Sequence, residues 1–482
     1  MSRDVVEPLL RSIKAFTRQH VRALEIDHAH HIPREVLTGL AELGLFGLTL
    51  PEAFGGAALS ALDATDVVAA LAEADRSVAT TVGLHLGLGT RGLVAYGTRA
   101  QHERYLPDLA TGERIAAFAT TEPNSGSDLS ALETVARAEA AGSLKLNGTK
   151  IYVTNGGLCG LLTVTASTPG LGGAARGTSV LLLEPSMAGV TRQSEEKKLG
   201  LRGSSTTGFV FDDVTLPAGA LLGEPGQGPA YLAHILSWGR LLLSAGTVGT
   251  TRVALRTTLE HVHTRQQFRR ALIKQEVVQQ QLARASALAF AMQSLVKEAA
   301  QAEGDVPRLA RLTTSSKVFC SEAAGQIVDL AVQLHGGSGY IEDTGMALLV
   351  RDARVTRIFE GANDVLLTHA GLQELTEPAT PLRQPGLDNL FFSVRERRDE
   401  LCGDSQAPGV RALGRRVEQH ALGRAVVWRD AAVAAMTHAK TPLEQAAAEL
   451  VRDEALTVAN APFLAPGPFH TLSTALLEGV LP

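Results

Sequence analysis

Apolar and polar positions alternate with one period, change to another, and change back. Up to about residue 112 the period is helical. Leu9, Ile13, Phe16 and His20 fall at helical spacing, and Val36, Leu37, Leu40 and Leu43 follow Pro33 on one face. Pro51-Glu-Ala-Phe-Gly-Gly56 breaks that pattern as a turn. The Ala- and Leu-rich stretch from Ala61 to Leu93 predicts two closely packed helices. Near Ile115 the pattern shortens to strand-like runs separated by Gly, Asn, Ser and Pro, among them Leu144–Thr154, Thr178–Leu183 and Gly208–Val214. Asn147-Gly148 reads as a hairpin turn between two such runs. Short strands at this spacing predict a small β-barrel or sandwich. From about residue 226 helices return. Arg240–Arg265, Gln275–Gln301, Arg308–Leu334 and Asn363 to about Leu375 predict a bundle.

These changes divide the chain into a helical domain at 1–113, a β-domain at 114–223 and a helical bundle at 224–375. The Pro-rich stretch 376–385 reads as a linker, and 386–482 as an additional helical domain ending in a Pro/Gly-interrupted apolar tail. A length of 482 residues allows about three domains on a prior of roughly 150 residues each. Apolar residues make up 45% and aromatic residues only 4%, so the core is Ala, Leu and Val, which favours close helix packing.

Charge and composition exclude several functions. A net charge of -5 and the lack of a basic stripe leave no footprint for nucleic acid. Cys159, Cys320 and Cys402 are widely spaced and odd in number, so they predict neither a disulfide framework nor a metal set, as suits a reducing compartment. The opening residues lack the apolar core of a signal peptide and the Arg/Ser bias of a transit peptide. No run of ~20 apolar residues would span a membrane. The expectation is a soluble, cytoplasmic protein of bacterial type. His28, His30 and His31 lack partners in a ligand pattern and read as a solvated loop. Gly170-Leu-Gly-Gly173 opens no helix and does not read as a dinucleotide fingerprint.

Candidate chemistry lies in a few stretches. In Arg357-Ile-Phe-Glu-Gly-Ala-Asn-Asp364 a single carboxylate, Glu360, precedes Gly361, whose free backbone can aim the carboxylate into a cavity, although by spacing alone the pair reads as a surface Glu before a helix break. Phe118-Ala-Thr-Thr-Glu-Pro-Asn-Ser-Gly-Ser-Asp128 gathers hydroxyls and backbone N–H groups at a strand end, suited to a polar heterocycle. Tyr152 and Thr154, two apart on a strand, face the same side. Arg265 is a bidentate phosphate donor by type. The glycines of Gln333-Leu-His-Gly-Gly-Ser-Gly-Tyr340 let a backbone approach a pyrophosphate.

Taken together and in this order, these stretches resemble the FAD-dependent acyl-CoA dehydrogenases, with the Phe-Glu-Gly-x-Asn-Asp form most similar to the very-long-chain branch. The resemblance covers about residues 1 to 375, and an added C-terminal helical domain is again similar to that branch. It implies a mostly α protein with a central β-domain, in which Glu360 is the catalytic base. Ser127, Arg240 and Gly361 would meet the acyl-CoA. FAD would be bound by Phe118, Thr120, Thr121, Gly126, Ser127, Tyr152, Thr154, Arg265, Phe268, Gln279, Gln333, Gly336, Gly337, Ala362 and Asp364. Arg240 would open the first helix of the bundle. The Lys198–Ser204 turn resembles the family's turn closing the β-domain and reads as structural. The resemblance also implies a homodimer or tetramer and an electron-transfer flavoprotein as acceptor, and leaves peripheral membrane contact by the C-terminal domain open. Three departures stand out: Ala362 replaces the usual Thr, Tyr152 the usual Trp, and Arg269 the usual Gly. An acyl-CoA oxidase, a carrier-protein-linked dehydrogenase and a non-catalytic scaffold of the same fold are the alternatives. Glu260, Glu276 and Asp364 are the reserve candidates for the base.

Overall fold

The computed structural model describes residues 3–139, 142–173, 177–377, 386–402 and 416–461. Seven helices come first: α1 (Arg3–His20), α2 (Ala23–Ala29), α3 (Arg34–Glu42), α4 (Ala61–Ala74), α5 (Arg76–Leu84), α6 (Arg91–Tyr96) and α7 (Arg99–Thr111). Three of them start at side-chain caps. Ser60 caps α4, Asp75 accepts the Val78 N–H at 2.7 Å to cap α5, and Thr98 with Gln101 forms a capping box on α7. The stretch from Ala61 to Leu93 is helical on both sides of Asp75, as expected for two helices, with right-handed helical backbone continuing from Arg76 through a π-turn to Tyr96. Asp75 ends one helix and starts the next, and a π-turn at His85–Gly89 then offsets α6 from α5.

The β-domain comprises β1 (Ile115–Ala119), β2 (Val135–Ala138), β3 (Leu144–Thr154), β4 (Cys159–Ser167), β5 (Thr178–Leu183), β6 (Val190–Arg192), β7 (Thr206–Leu216) and β8 (Leu221–Leu222). They form one sheet in the order β6-β7-β3-β2-β4-β5-β8, with β1 lying parallel to β4. Asn147-Gly148 is not a hairpin. β3 runs straight through it beside β7, with a register shift between Leu146 and Gly148. Asn147 instead bridges Asp213 on β7, whose φ is +50°. A Cβ at Gly148 would collide with Thr134. The dipeptide makes a bulge because both flanking runs are already paired to other strands.

Next come α8 (Gly228–Thr264), a small hairpin of β9 (Gln266–Gln267) and β10 (Arg270–Ala271), α9 (Glu276–Ala300), α10 (Val306–His335), α11 (Gly337–Tyr340), α12 (Met346–Arg354) and α13 (Asn363–Thr376). The 37 residues of α8 make it about 55 Å long. It begins at Gly228 with Pro229 in its first turn, so Arg240 lies three turns inside the helix and does not open it. Beyond α13 follow α14 (Asp388–Cys402), α15 (Arg416–His438) and α16 (Pro442–Asn460). Most of the expected 376–385 linker and the apolar tail from 462 onward lie outside the described residues. The buried faces of α15 and α16 join the same apolar cluster as α4, α8, α9 and α10. Here the shortage of aromatics has its consequence. A Cβ at Gly371 would strike the Gln419 carbonyl, and one at Gly423 the Leu367 carbonyl, so α13 and α15 cross with backbones in contact.

The Lys198–Ser204 turn joins the three parts. Leu201 N–H donates to Asp352 on α12 at 2.6 Å, and a Cβ at Gly203 would strike Ile26 on α2. Asp27 on α2 receives Arg351 at 2.6 and 2.8 Å and lies 3.6 Å from Arg202. Of the histidines, His28 is on the exposed last turn of α2 and meets Glu342 at 3.4 Å. His30 is the left-handed C-cap of that helix. No group of three metal-ligating side chains occurs among the described residues.

The β9–β10 hairpin turns on Phe268 and Arg269, both with positive φ (+52° and +64°). A two-residue loop needs this geometry and normally takes Asn-Gly for it. Arg269 therefore holds a strained conformation, and its side chain is exposed. Arg269→Gly is expected to raise stability by about 1 kcal/mol. The check is a higher thermal unfolding midpoint than wild type, with the same secondary structure by circular dichroism.

Candidate active site

Glu360 stands in the loop between α12 and α13 with φ at +57°, and Gly361 follows at +100°. A left-handed Glu costs about 1–2 kcal/mol, so something must hold it there. Two cations do. Arg240 on α8 donates from Nε to the Glu360 carbonyl at 3.1 Å and from Nη1 to Thr314 at 3.3 Å. Lys317 on α10, fully buried, donates from Nζ to the Gly361 carbonyl at 2.6 Å and to Asn363 Oδ1 at 2.7 Å. Asn363 in turn donates to Ser321 and Glu322. Two consecutive carbonyls are thus tied to two different helices, which leaves the side chain pointing inward.

The carboxylate enters a cavity lined by Arg76, Ala79, Thr80, Gly83 and Leu84 of α5, Gly239, Leu242 and Leu243 of α8, and Phe359. Its Oε2 is sealed from solvent and has no hydrogen-bond partner among the described residues. Burial pushes the Glu360 carboxyl up to about 7, against the opposing pull of Arg240, Lys317 and Arg76. Burial likewise brings Lys317 down to about 7, and the nearby Glu360 charge counters that shift. A lone carboxylate that titrates near neutrality in an apolar cavity has the properties of a general base. The reserve candidates lack this setting. Glu260 and Glu276 are exposed, and Asp364, on the first turn of α13, is exposed and accepts from His420 at 3.1 Å. Ala362 occupies the N-cap of α13 with no side-chain cap, so the replacement of Thr also removes a capping hydroxyl.

The remaining candidates form two groups. One adjoins the cavity. Ile151 N–H bonds the Thr121 carbonyl at 2.9 Å, which ties the 118–128 loop to β3, and Asn155 bonds the Thr81 carbonyl on α5 at 2.9 Å. Along this seam Tyr152 is left-handed (φ +56°) with its ring 63% exposed, and Thr154 is half-buried. Thr120 shares a hydrogen bond with Thr165, Thr121 is half-buried, and Gly126 and Ser127 are exposed. Phe118 is buried against Leu88, Leu232 and Ile235 and backs the wall. An exposed aromatic ring, hydroxyls and a free loop backbone are the donor set a flat heteroaromatic group requires, so this surface fits one.

Arg265, Phe268, Gln279, Gln333, Gly336 and Gly337 form the second group. Arg265 caps the far end of α8, and His261 stacks on His335 at 4.3 Å beside Gln333, Gly336 and Gly337. Gln279 donates to Ile273 in the connection before α9. All six are exposed, Phe268 by 87%. From Arg240 to Arg265 is 25 residues of one helix, about 37 Å, so within one chain the two groups are far apart.

Three residues that matter here carried weaker signals in the sequence. Lys317 stands alone among Thr, Ser and Val on the buried side of α10. Arg76 follows the cap of α5 and borders the cavity. Lys150, within the 147–156 stretch, is fully buried and meets Glu122 at 2.6 Å. Lys150 also donates to the Thr120 carbonyl, while Glu122 accepts the Glu133 and Thr134 N–H groups. The pair therefore fixes the hydroxyl-bearing loop from beneath.

Comparison with known proteins agrees with this layout. Profiles of the acyl-CoA dehydrogenase N-terminal, middle and C-terminal domains match residues 6–113, 117–214 and 226–372. A very-long-chain specific acyl-CoA dehydrogenase from mouse mitochondria is 36% identical over 74% of this chain, which spans 57% of that relative's length. The butyryl-CoA dehydrogenase of Megasphaera elsdenii superposes with a TM-score of 0.72 at 31% identity, over 76% of this chain and 96% of its own. An acyl-CoA dehydrogenase complexed with FAD from Bacillus anthracis reaches 0.84 at 27% identity over 95% of this chain and 87% of its own.

The buried pair yields a prediction. Lys150→Met would leave the Glu122 carboxylate buried and unpaired, at a cost of about 3–5 kcal/mol. Adding Glu122→Gln should recover part of that loss. Denaturant unfolding of the single and double variants checks both, and the double variant should be the more stable of the two.

Proposed function

The chain belongs to the acyl-CoA dehydrogenase family, and we propose that it oxidises a saturated acyl-CoA to the trans-2-enoyl-CoA with Glu360 as base. The observation that carries this reading is the Glu360 carboxylate, whose Oε2 is sealed from solvent without a hydrogen-bond partner among the described residues and whose pKa burial raises to about 7. FAD, when bound along the surface of Thr120, Thr121, Tyr152 and Thr154, supplies the acceptor for the hydride lost from the substrate β-carbon.

This chain's own residues handle the proton. Glu360 takes it from the α-carbon onto its carboxylate, a role worth roughly 10²–10⁴-fold. The substrate thioester oxygen becomes negative as that proton leaves. The Glu360 backbone N–H lies in the same left-handed turn and would donate to it, as in an oxyanion hole. Arg240 and Lys317 fix that turn and add positive charge near the developing anion. Leu242, Leu243, Leu84 and Phe359 exclude water around the carboxylate. The electrons pass onward to an electron-transfer flavoprotein, and peroxide formation in air would instead mark an oxidase.

The subunit arrangement follows from the two residue groups. Arg265, Phe268, Gln279, Gln333, Gly336 and Gly337 would complete the FAD site of a second copy, since about 37 Å of helix separates them from their own cavity. The minimal active unit is then a homodimer. The expected result is a dimer by light scattering that loses FAD on dilution to monomer. A monomer retaining one FAD per chain would contradict this arrangement.

Two results test the base. Glu360→Gln should remain yellow and folded and should still bind acyl-CoA, but its flavin should bleach at least about 10²-fold more slowly under anaerobic conditions. In the wild type the bleaching rate at subsaturating substrate should rise with pH through about 7, because the base acts ionised and Glu360 gives up its proton there. Rapid bleaching by Glu360→Gln, or a profile falling with pH across that range, would place the base elsewhere.

A further inference from the structure

The cavity beside Glu360 has a definite far end. Its α5 wall is a single helix face, with Arg76, Ala79, Thr80, Gly83 and Leu84 at helical spacing. On α8 the opposite wall starts at Gly239, where a Cβ would lie 2.6 Å from Glu360 Oε2, and passes Leu242 and Leu243. One turn further is Gly246, where a Cβ would fall on the Arg76 guanidinium. The guanidinium is held in that seat. Arg76 is 5% exposed, its Nη2 donates to the Leu243 carbonyl at 3.0 Å, and Asp352, Glu360 and Asp75 balance its charge. Between these ends the walls are Ala, Gly and Leu with Thr80 and Phe359, which favours an unbranched chain.

Resting on the reading of Glu360 above, we propose that Arg76 is the end wall of the acyl pocket and sets the substrate to saturated chains of about six to eight carbons. Seven residues of α8 separate the level of the carboxylate from that of the guanidinium, about 10 Å. One van der Waals contact of about 4 Å against the guanidinium leaves about 6 Å. An extended chain advancing roughly 1.25 Å per carbon fits about five carbons beyond the α-carbon in that length. A longer chain must bend back or press a methyl group onto a buried charge, and neither gains binding. Length selection in this chain thus rests on Arg76, in contrast to the long-chain preference named for its mouse relative.

The test uses the FAD-loaded enzyme and trans-2-enoyl-CoA binding by calorimetry, with butenoyl, hexenoyl, octenoyl, decenoyl and hexadecenoyl chains. Anaerobic bleaching with the saturated counterparts runs beside it. Wild-type affinity should rise about fourfold per methylene and stop rising at six to eight carbons. Arg76→Ala should move that break to longer chains. Gly246→Ala, whose Cβ would fall on the guanidinium and displace it, should also shift that break, and it decides the matter if Arg76→Ala does not fold. An unbroken rise to hexadecenoyl in the wild type, or a break that stays put in Gly246→Ala, overturns the proposal. If no chain binds and none bleaches the flavin, the dehydrogenase reading itself falls. Bleaching with a break unrelated to Arg76 removes only the end wall.

Discussion

The site depends on two hydrogen bonds from buried cations to consecutive backbone carbonyls, Arg240 to Glu360 and Lys317 to Gly361. Without them a left-handed Glu would relax and turn its side chain out. With them the strain is held by α8 and α10, and the carboxylate is forced into a cavity that raises its pKa. The same cations keep that rise moderate, because Arg240, Lys317 and Arg76 all favour the charged form. Burial alone would push the Glu360 carboxyl higher still, and the three charges offset part of that rise.

The rest of the fold holds these helices in register. The Lys198–Ser204 turn carries the β-domain onto α2 and α12 through Leu201, Arg202 and Asp27, immediately before the Glu360 loop begins. The Lys150–Glu122 pair performs the equivalent task on the other wall, where Lys150 holds the Thr120 carbonyl. Helices α14–α16 extend this support. α15 lies against α13 with backbones in contact at Gly371 and Gly423, and its Asp430 accepts from Arg311 and Ser315 on α10. The extra C-terminal helices thus brace the two elements that flank Lys317 and Asn363.

The sequence by itself determined the order of helical, β and helical parts, because periodicity records which face of each element is buried. It pointed to Glu360-Gly361 and to the hydroxyl-rich 118–128 loop only through the resemblance carried by several stretches in order, because a Glu-Gly pair alone reads as a surface carboxylate before a helix break. Only the tertiary structure decided the rest. Asn147-Gly148 is an equally local signal, yet it became a bulge because β7 and Thr134 already occupied both sides of the strand. Arg240 lies deep inside a helix that begins at Gly228, twelve positions upstream of where motif spacing placed its start. Arg76 and Lys317 sit in ordinary helical stretches. Their importance comes from which carbonyls and carboxylates α8, α12 and α13 bring against them, and burial is a property of neighbours remote in the chain. Charge, pKa and the length of the cavity all depend on that burial, so residue type alone cannot determine them.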